Sequence, residues 1–329
     1  MNVREIAIVL PVYDDWVAVQ RLLPAIDQAL ASIPCRARVL MVDDASNDRP
    51  EKAWPHAFLS ISDVWILHLR RNLGHQRAIA MGLVYIYQNW QGIDALLVMD
   101  ADGEDRPEDI PVLLACFAEE GGENVVFAAR SKRLESRAFR FFYHGYRVLH
   151  RALTGVAVRV GNFSVVPPRA LGTLMVVSEL WNHYAAAIFR ARIPHASIPL
   201  PRGSRLAGRS KMNFVALLVH GLSAISVFSD VVGARLLALA AVAIVAAVGL
   251  GGMVAGVRLF TSLAIPGWAT YATGILLIVL AQALTVSLAL VFIIVSGRAV
   301  PSFLPIRDAA FFIDRVEQIA AANASPARG

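Results

Sequence analysis

Two long apolar stretches near the C-terminal end constrain this chain more than any other feature of its sequence. Leu236–Val257 contains about 22 residues without a charge, and Tyr271–Val295 contains about 25, with Gln282 as its most polar side chain. A helix that crosses a bilayer needs roughly 20 apolar residues. We therefore predict two transmembrane helices. The connector Arg258–Thr270 is short, which predicts a hairpin with both ends on one side of the membrane.

Basic residues lie mainly at the open end of this predicted hairpin, and the turn carries Arg258 alone. The flanking residues are Arg202, Arg205, Arg209, Lys211, Arg235, Arg298 and Arg307. The positive-inside rule then places the open end in the cytoplasm. The apolar run Ile6–Val12 is too short for a signal peptide and is followed by Asp14 and Asp15. We therefore expect the preceding domain to be cytoplasmic.

The net charge of +6 limits the classes of partner. Basic residues gather between Arg130 and Lys211, and no basic run with interleaved aromatic residues is typical of a nucleic-acid surface. Phosphates and anionic lipid headgroups are the expected partners, and nucleic acid is not. Cys35 and Cys116 lie in no C-x-x-C pair, so we expect two buried thiols in a reducing compartment.

The first 130 residues alternate between strand and helix patterns. The predicted strands are Ile6–Pro11, Arg38–Val42, Val64–Leu69, Ala95–Met99 and Val125–Ala129. The predicted helices are Trp16–Leu30, Gln76–Tyr87 and Pro107–Ala118. This alternation predicts an α/β domain with a parallel sheet, whose ligands would bind at the carboxyl ends of the strands.

The second part of the chain connects this domain to the membrane. Apolar residues recur at helical spacing over Phe214–Phe228, between a basic loop and the first span, which favours an interfacial amphipathic helix. The expected organisation is a catalytic domain (1–212), a juxtamembrane helix (213–232), a transmembrane hairpin (233–298) and a cytoplasmic tail (299–329). We expect the tail to be disordered from Ala320 onward.

Two acidic motifs follow predicted strands. One is Asp43-Asp44-Ala45-Ser46-Asn47-Asp48, and the other is Asp100-Ala101-Asp102, with Glu104 two residues later. Either alone could be a turn or a helix cap. Together they suit a divalent cation between carboxylates and a nucleotide diphosphate, because Mg²⁺ is typically held by one or two carboxylates plus substrate phosphates.

These motifs, in order, resemble those of family 2 glycosyltransferases with the GT-A fold, the nucleotide-diphospho-sugar transferase fold. The resemblance rests on Pro11-Val12-Tyr13-Asp14-Asp15, the two acidic motifs, and Arg71-Asn72-Leu73-Gly74-His75-Gln76. The basic segment Arg202–Lys211 is similar to a motif of the polyisoprenyl-phosphate branch, which includes dolichol-phosphate mannose synthases and bacterial bactoprenol glucosyltransferases. The two predicted spans fit the bacterial members.

The resemblance implies a role for each matching residue. Pro11, Tyr13 and Asp15 would line the nucleotide pocket, and either Asp43 or Asp44 would bind the base or ribose. Asp100, Asp102 and Glu104 would hold Mg²⁺ or Mn²⁺. Arg130 would face the phosphates, and Arg137 and Arg140 would receive the acceptor phosphate. Arg202, Arg205, Ser210 and Lys211 would close over the donor diphosphate.

The same resemblance implies a nucleotide-sugar donor, a polyisoprenyl-phosphate acceptor and an inverting reaction at the bacterial plasma membrane, serving cell-envelope polysaccharide. A homo-oligomer and a flippase are further partners that it suggests. The chain departs from its relatives at Gly161-Asn162-Phe163-Ser164, where they often have G-D-F-R, and at Glu179–Tyr184. Two alternatives therefore stay open: a hydroxyl acceptor served by a base such as Glu179, and a non-catalytic membrane partner subunit.

Overall fold

A mixed sheet of eight strands, counted within the described part of the chain, forms the centre of the first of two units. The strands are β1 (Glu5–Val12), β2 (Arg36–Asp43), β3 (Ile61–Leu69), β4 (Ala95–Val98), β5 (Val125–Arg130), β6 (Ser164–Val166), β7 (His195–Leu200) and β8 (Ile313–Ala321). Their order in the sheet is β7-β5-β6-β4-β1-β2-β3-β8.

The computed structural model describes residues 3–48, 58–130, 145, 148–155, 160–207, 221–261, 267–299 and 303–321. The first unit comprises 1–144, 156–227 and 303–329, and the second comprises 145–155 and 228–302. Helices of the first unit are α1 (Trp16–Leu30), α2 (His75–Asn89), α3 (Ile110–Glu119), α4 (Pro168–Leu174) and α5 (Tyr184–Arg190). The second unit contains α6 (Ser229–Phe260) and α7 (Trp268–Ala299), and α8 (Pro305–Asp308) belongs again to the first.

The central strand β1 explains how the two faces of the sheet are covered. Ile6, Ile8 and Leu10 belong to the core beneath α1 and α3, whereas Ala7 and Val9 belong to the core beneath α2, α4 and α5. Successive side chains of a strand point to opposite faces, so a wholly apolar strand is buried on both sides. This packing fixes the carboxyl end of β1 at one edge of a rigid sheet.

The parallel strands agree with the sequence prediction, and the antiparallel ones do not. β2 and β4 pair in parallel with β1, and β3 pairs in parallel with β2. β6 is antiparallel to both β4 and β5, and β8 is antiparallel to β3. The predicted parallel pairing is therefore confirmed for β1 to β4, and β6 and β8, which were not predicted as strands, make the sheet mixed.

The C-terminal segment returns to the sheet instead of remaining a simple tail. Phe303 stacks on Trp181 with ring centroids 3.8 Å apart, and the Ile306 N–H donates to the Met175 carbonyl at 3.2 Å. The chain then enters β8, which pairs with β3 along its length. Ala320, where we expected disorder to begin, is paired in this strand, and residues 322–329 lie outside the described residues.

The two long apolar helices of the prediction are confirmed. α6 and α7 each contain 32 residues, and both are long and apolar enough to cross a membrane. Residues 221–226 are helical, whereas 214–220 lie outside the described residues. Because α6 begins at Ser229, the end of the predicted juxtamembrane helix (213–232) is already part of α6. The connection between α6 and α7 runs from 261 to 267 and is shorter than predicted.

Candidate active site

Acidic residues converge at the carboxyl ends of three adjacent strands, β4, β1 and β2. Asp14 follows β1, Asp43 is the last residue of β2, and Asp100 follows β4. The parallel orientation of these strands places all three positions at one edge of the sheet. Ligands of α/β sheets bind at this edge.

Asp14 joins the turn after β1 to the acidic loop after β2. Its Oδ1 accepts hydrogen bonds from the backbone N–H groups of Asn47 at 2.6 Å and Asp48 at 3.2 Å. The Asp14 N–H donates to the Ser46 hydroxyl at 2.9 Å. Asp14 and Ala45 have positive φ values of 50° and 56°. Few side chains tolerate that backbone region, so the hydrogen bonds hold both turns in a defined shape.

The three residues predicted to line the nucleotide pocket lie on this turn or beside it. Pro11 is a buried residue of β1. The Tyr13 hydroxyl accepts a hydrogen bond from Asn47 Nδ2 at 3.2 Å. The carbonyl of Asp15 accepts from the first turn of α1. Their nucleotide-binding roles stay predictions.

Both oxygens of the Asp43 carboxylate are held. Oδ1 accepts the Ser46 N–H at 2.9 Å, and Oδ2 lies 2.9 Å from Nδ1 of His68 on β3. Burial alone would raise the pKa of Asp43, but the hydrogen bonds from His68 and Ser46 outweigh it and hold the pKa below its ordinary value. Asp43 therefore stays ionised.

Asp44 organises a different loop. Its two oxygens accept the backbone N–H groups of Leu73 at 2.6 Å and Gly74 at 2.8 Å, and the residue is 2% exposed. Burial raises the pKa of Asp44 against these bonds. The carboxylate thus fixes the segment that leads into α2, where His75 is the first residue.

Asp100 takes part in a network of polar side chains. His75 Nε2 lies 3.1 Å from its Oδ1, and Asn162 Nδ2 donates to the same oxygen at 3.3 Å. Gln76 Nε2 donates to Asn162 Oδ1 at 3.1 Å. Burial lowers the pKa of His75, but the carboxylates of Asp100, Asp102 and Asp105 raise it by more than burial lowers it. The net shift of the His75 pKa is therefore upward.

The contribution of these three neighbours of Asp100 was not predicted from the sequence. His75 and Gln76 belong to a motif that supported the resemblance, yet no role was assigned to them. Asn162 was noted only as a departure from G-D-F-R. Its contact with Asp100 shows that the altered motif belongs to the acidic edge of the sheet.

The loop that follows β7 lies against the second acidic motif. Arg205 Nη2 lies 2.9 Å from Asp102 Oδ2, and Arg202 forms an ion pair with Glu104. The backbone is joined as well, because the Gly203 N–H donates to the Glu104 carbonyl at 2.8 Å and the Leu206 N–H to the Asp102 carbonyl at 2.9 Å. The structure therefore places Arg202 and Arg205 beside the second acidic motif. Their predicted closure over the donor diphosphate stays a prediction.

Carboxylate oxygens at this edge suit a hard divalent cation. Asp100 and Asp102 together match the one or two carboxylates that usually hold Mg²⁺ beside substrate phosphates. Among the described residues, however, no group of three or more His, Cys, Asp or Glu side chains is assembled to hold a metal ion. Glu104, the third predicted ligand, forms an ion pair with Arg202, and the metal-binding roles of the three carboxylates stay predictions.

Several predicted site residues lie outside the described residues or are described only in part. Arg137, Arg140, Ser210 and Lys211 are outside them. Arg130 ends β5, where its backbone is in register with Leu200. Their roles stay predictions.

Comparisons with known proteins agree with this geometry. Residues 7–171 match the family described as Glycosyl transferase family 2. The uncharacterized glycosyltransferase YkcC of Bacillus subtilis is 26% identical over 273 residues, which is 80% of each chain. The undecaprenyl-phosphate 4-deoxy-4-formamido-L-arabinose transferase of Klebsiella pneumoniae is 31% identical over 135 residues, covering 41% of this chain and 39% of that protein.

Among solved structures, a similar chain is glucosyl-3-phosphoglycerate synthase from Mycobacterium tuberculosis, in complex with Mn²⁺, uridine-diphosphate-glucose and phosphoglyceric acid. It is 15% identical, with a TM-score of 0.49 over 70% of this chain and 80% of that one. The sequence match covers half of the present chain, from β1 through the acidic motifs to α4. The chain therefore belongs to glycosyltransferase family 2, and its first unit is a GT-A domain.

Proposed function

We propose that this enzyme transfers a sugar from a nucleotide-sugar to a polyisoprenyl phosphate, such as undecaprenyl phosphate, at the cytoplasmic face of the bacterial plasma membrane. The observation that carries the proposal is the acidic edge of the sheet, with two arginines against it, in a family 2 domain followed by two long apolar helices. The reaction would be a single displacement with inversion at the anomeric carbon.

The donor site would use both signs of charge. A nucleotide diphosphate would be repelled by the carboxylates alone, so the site needs Mg²⁺ or Mn²⁺, held by Asp100 and Asp102, to offset the charge of the leaving diphosphate. Arg202 and Arg205 lie at the same edge. Guanidinium groups match phosphate oxygens in geometry, so these two residues would turn toward the diphosphate when it binds.

The chemistry of the acceptor also favours a phosphate. A phosphate monoester has a second pKa of about 6, so it is nucleophilic at neutral pH and needs no general base. A hydroxyl acceptor would need a base, and Glu179, the residue considered for it, is paired with Arg190 at 3.4 Å. Arg137 and Arg140 would receive the lipid phosphate. The named activity of the Klebsiella relative supports this acceptor.

The sheet supports the proposed topology. β3 precedes α6 and α7 in the chain, β8 follows them, and the two strands pair in one sheet. Both ends of the helix pair must then reach the same side of a membrane, as a two-span hairpin does. The excess of basic residues at these ends supports the cytoplasmic side.

An acceptor-competition experiment tests the proposal. Membranes containing the enzyme would be incubated with radiolabelled nucleotide-sugars and Mg²⁺ or Mn²⁺, with either undecaprenyl phosphate or undecaprenol added. We expect label to enter the organic phase in proportion to added undecaprenyl phosphate. Label that instead follows undecaprenol would favour a hydroxyl acceptor, and no transfer from any donor would favour a non-catalytic subunit.

A further inference from the structure

A carboxylate from the last strand reaches the acidic edge through a histidine. Glu317 on β8 has its Oε1 3.2 Å from Nε2 of His68 on β3. The other ring nitrogen of His68 lies 2.9 Å from Oδ2 of Asp43, at the end of β2. Three adjacent strands thus carry a continuous chain of contacts, although Glu317 and His68 are 249 residues apart in sequence.

The two contacts favour the protonated form of His68. A neutral imidazole has one donor nitrogen and one acceptor nitrogen, whereas both nitrogens of the protonated ring donate. Both nitrogens of His68 face carboxylate oxygens, so the protonated ring satisfies this geometry and either neutral tautomer leaves two lone pairs opposed. The hydrogen bond to Asp43 raises the pKa of His68 most and the one to Glu317 raises it as well, against burial and against Arg315 on β8, and the net shift is upward.

We infer that Glu317 is a positioning residue for the nucleotide-sugar substrate. Through His68 it fixes the orientation of the Asp43 carboxylate. Strand β8 would then complete the nucleotide-binding site. The inference rests on the proposed function for the identity of the ligand. The segment after α7 would then take part in binding the nucleotide-sugar, in addition to forming the last strand of the sheet beside β3.

The physical consequence of removing Glu317 follows from the ring. In Glu317→Gln the amide oxygen can still accept a hydrogen bond from Nε2, but the negative charge that favours the protonated ring is lost. A neutral ring that keeps its proton on Nε2, donating to that amide oxygen, presents a lone pair to Asp43. Asp43 Oδ2 would then lose its partner, while the Ser46 N–H would continue to hold Oδ1. The carboxylate could rotate away from the position that the two bonds define.

Glu317→Gln in the full-length protein tests the inference, with Gln318→Ala as the matched control. Gln318 is also exposed on β8 and donates to Asp63 on β3 at 2.8 Å, so its loss removes an interstrand bond without touching His68. Binding of UDP and of GDP, each with Mn²⁺, would be measured by calorimetry. We expect Glu317→Gln to weaken binding of the recognised nucleotide by about three- to tenfold, as for the loss of one partly exposed charged hydrogen bond, and Gln318→Ala to leave it unchanged.

A second variant separates positioning from general support of the strand. In a His68→Gln background, Glu317→Gln should cause no further loss, because Glu317 acts through the ring. Additive losses, or equal losses in Glu317→Gln and Gln318→Ala, would overturn the inference. The protonation state of His68, followed by NMR of labelled histidine, should change in Glu317→Gln and not in the control.

The outcomes also distinguish this inference from the proposed function. Wild-type protein that binds neither nucleotide would overturn the donor role, and the NMR comparison would still decide whether Glu317 holds the ring. Normal nucleotide binding by Glu317→Gln with an altered ring would overturn the positioning role alone.

Discussion

Gly203→Ala should displace the loop that carries Arg202 and Arg205 from the second acidic motif. A Cβ at this position would lie 2.8 Å from the carbonyl oxygen of Gly103 and 2.9 Å from Cγ of Arg106. The first neighbour is backbone, in a turn where Gly103 has a φ of 84°. It cannot move aside easily, because Leu206 packs over the same turn. The loop itself must therefore move.

The size of the effect follows from these contacts. Forcing an extra carbon into a tight contact costs about 1–3 kcal/mol. Moving the loop away to relieve it weakens two backbone hydrogen bonds, from Gly203 to Glu104 and from Leu206 to Asp102, at about 1 kcal/mol each. A penalty of about 1–3 kcal/mol corresponds to a loss of roughly fivefold to a hundredfold in the fraction of enzyme with the loop seated.

Two measurements would detect this change. We expect the KM for the nucleotide-sugar to rise, and we expect trypsin to cleave after Arg202 and Arg205 faster than in the wild type. Gly172→Ala is the control, because its Cβ would meet its nearest neighbour, Tyr87 Oη, at an ordinary 3.5 Å. A Gly203→Ala enzyme with a normal KM for the nucleotide-sugar and normal resistance to trypsin would show that Gly203 does not hold this loop in place.

Three further predictions concern charge and topology. Asp102→Asn should abolish transfer with little change in unfolding free energy, and normal turnover by this variant, or full wild-type activity in chelator, would remove its metal role. The Asp43–His68 pair should stabilise the fold most between pH 3.8 and 6.5. The pKa of Asp43 is lowered on folding, so its stabilisation is complete above its ordinary pKa of 3.8 and is lost at lower pH. The pKa of His68 is raised on folding, so its stabilisation is complete below its ordinary pKa of 6.5 and is lost at higher pH. Urea titrations of the wild type and His68→Gln should therefore differ most in that range, and a constant difference from pH 3 to 9 would contradict this. In a background without native cysteines, a membrane-impermeant thiol reagent added outside should label Gly267→Cys and not Ser32→Cys, and the reverse would invert the proposed topology.

The sequence could predict the acidic edge because its determinants are local. β1, β2 and β4 are buried apolar runs, and each is followed by acidic residues, so Asp43 and Asp100 could be placed at strand ends from the pattern alone. The two long helices were equally readable from their lack of charge. Local hydrophobic patterns are strong signals when a whole element is buried or faces lipid.

Other features depend on contacts that no local pattern contains. β6 has three residues, and its antiparallel insertion between β4 and β5 brings Asn162 to Asp100. β8 pairs with β3 although the two strands are separated by most of the sequence. Its sequence alternates apolar and polar residues weakly, and nothing near Glu317 indicates that His68 is its partner. Distant pairing of this kind is set by tertiary packing, which overrides local propensity.

Sugar transfer to a lipid phosphate can be read directly from the mass of the lipid product. Purified full-length enzyme would be incubated with Mg²⁺ or Mn²⁺, a panel of nucleotide-sugars, and undecaprenyl phosphate as sole acceptor. We expect a lipid heavier by one sugar residue, which mild acid cleaves back to undecaprenyl phosphate, and no such product with Asp102→Asn. Undecaprenyl phosphate recovered unchanged with every donor, while a hydroxyl-bearing lipid is glycosylated under the same conditions, would contradict transfer to a lipid phosphate.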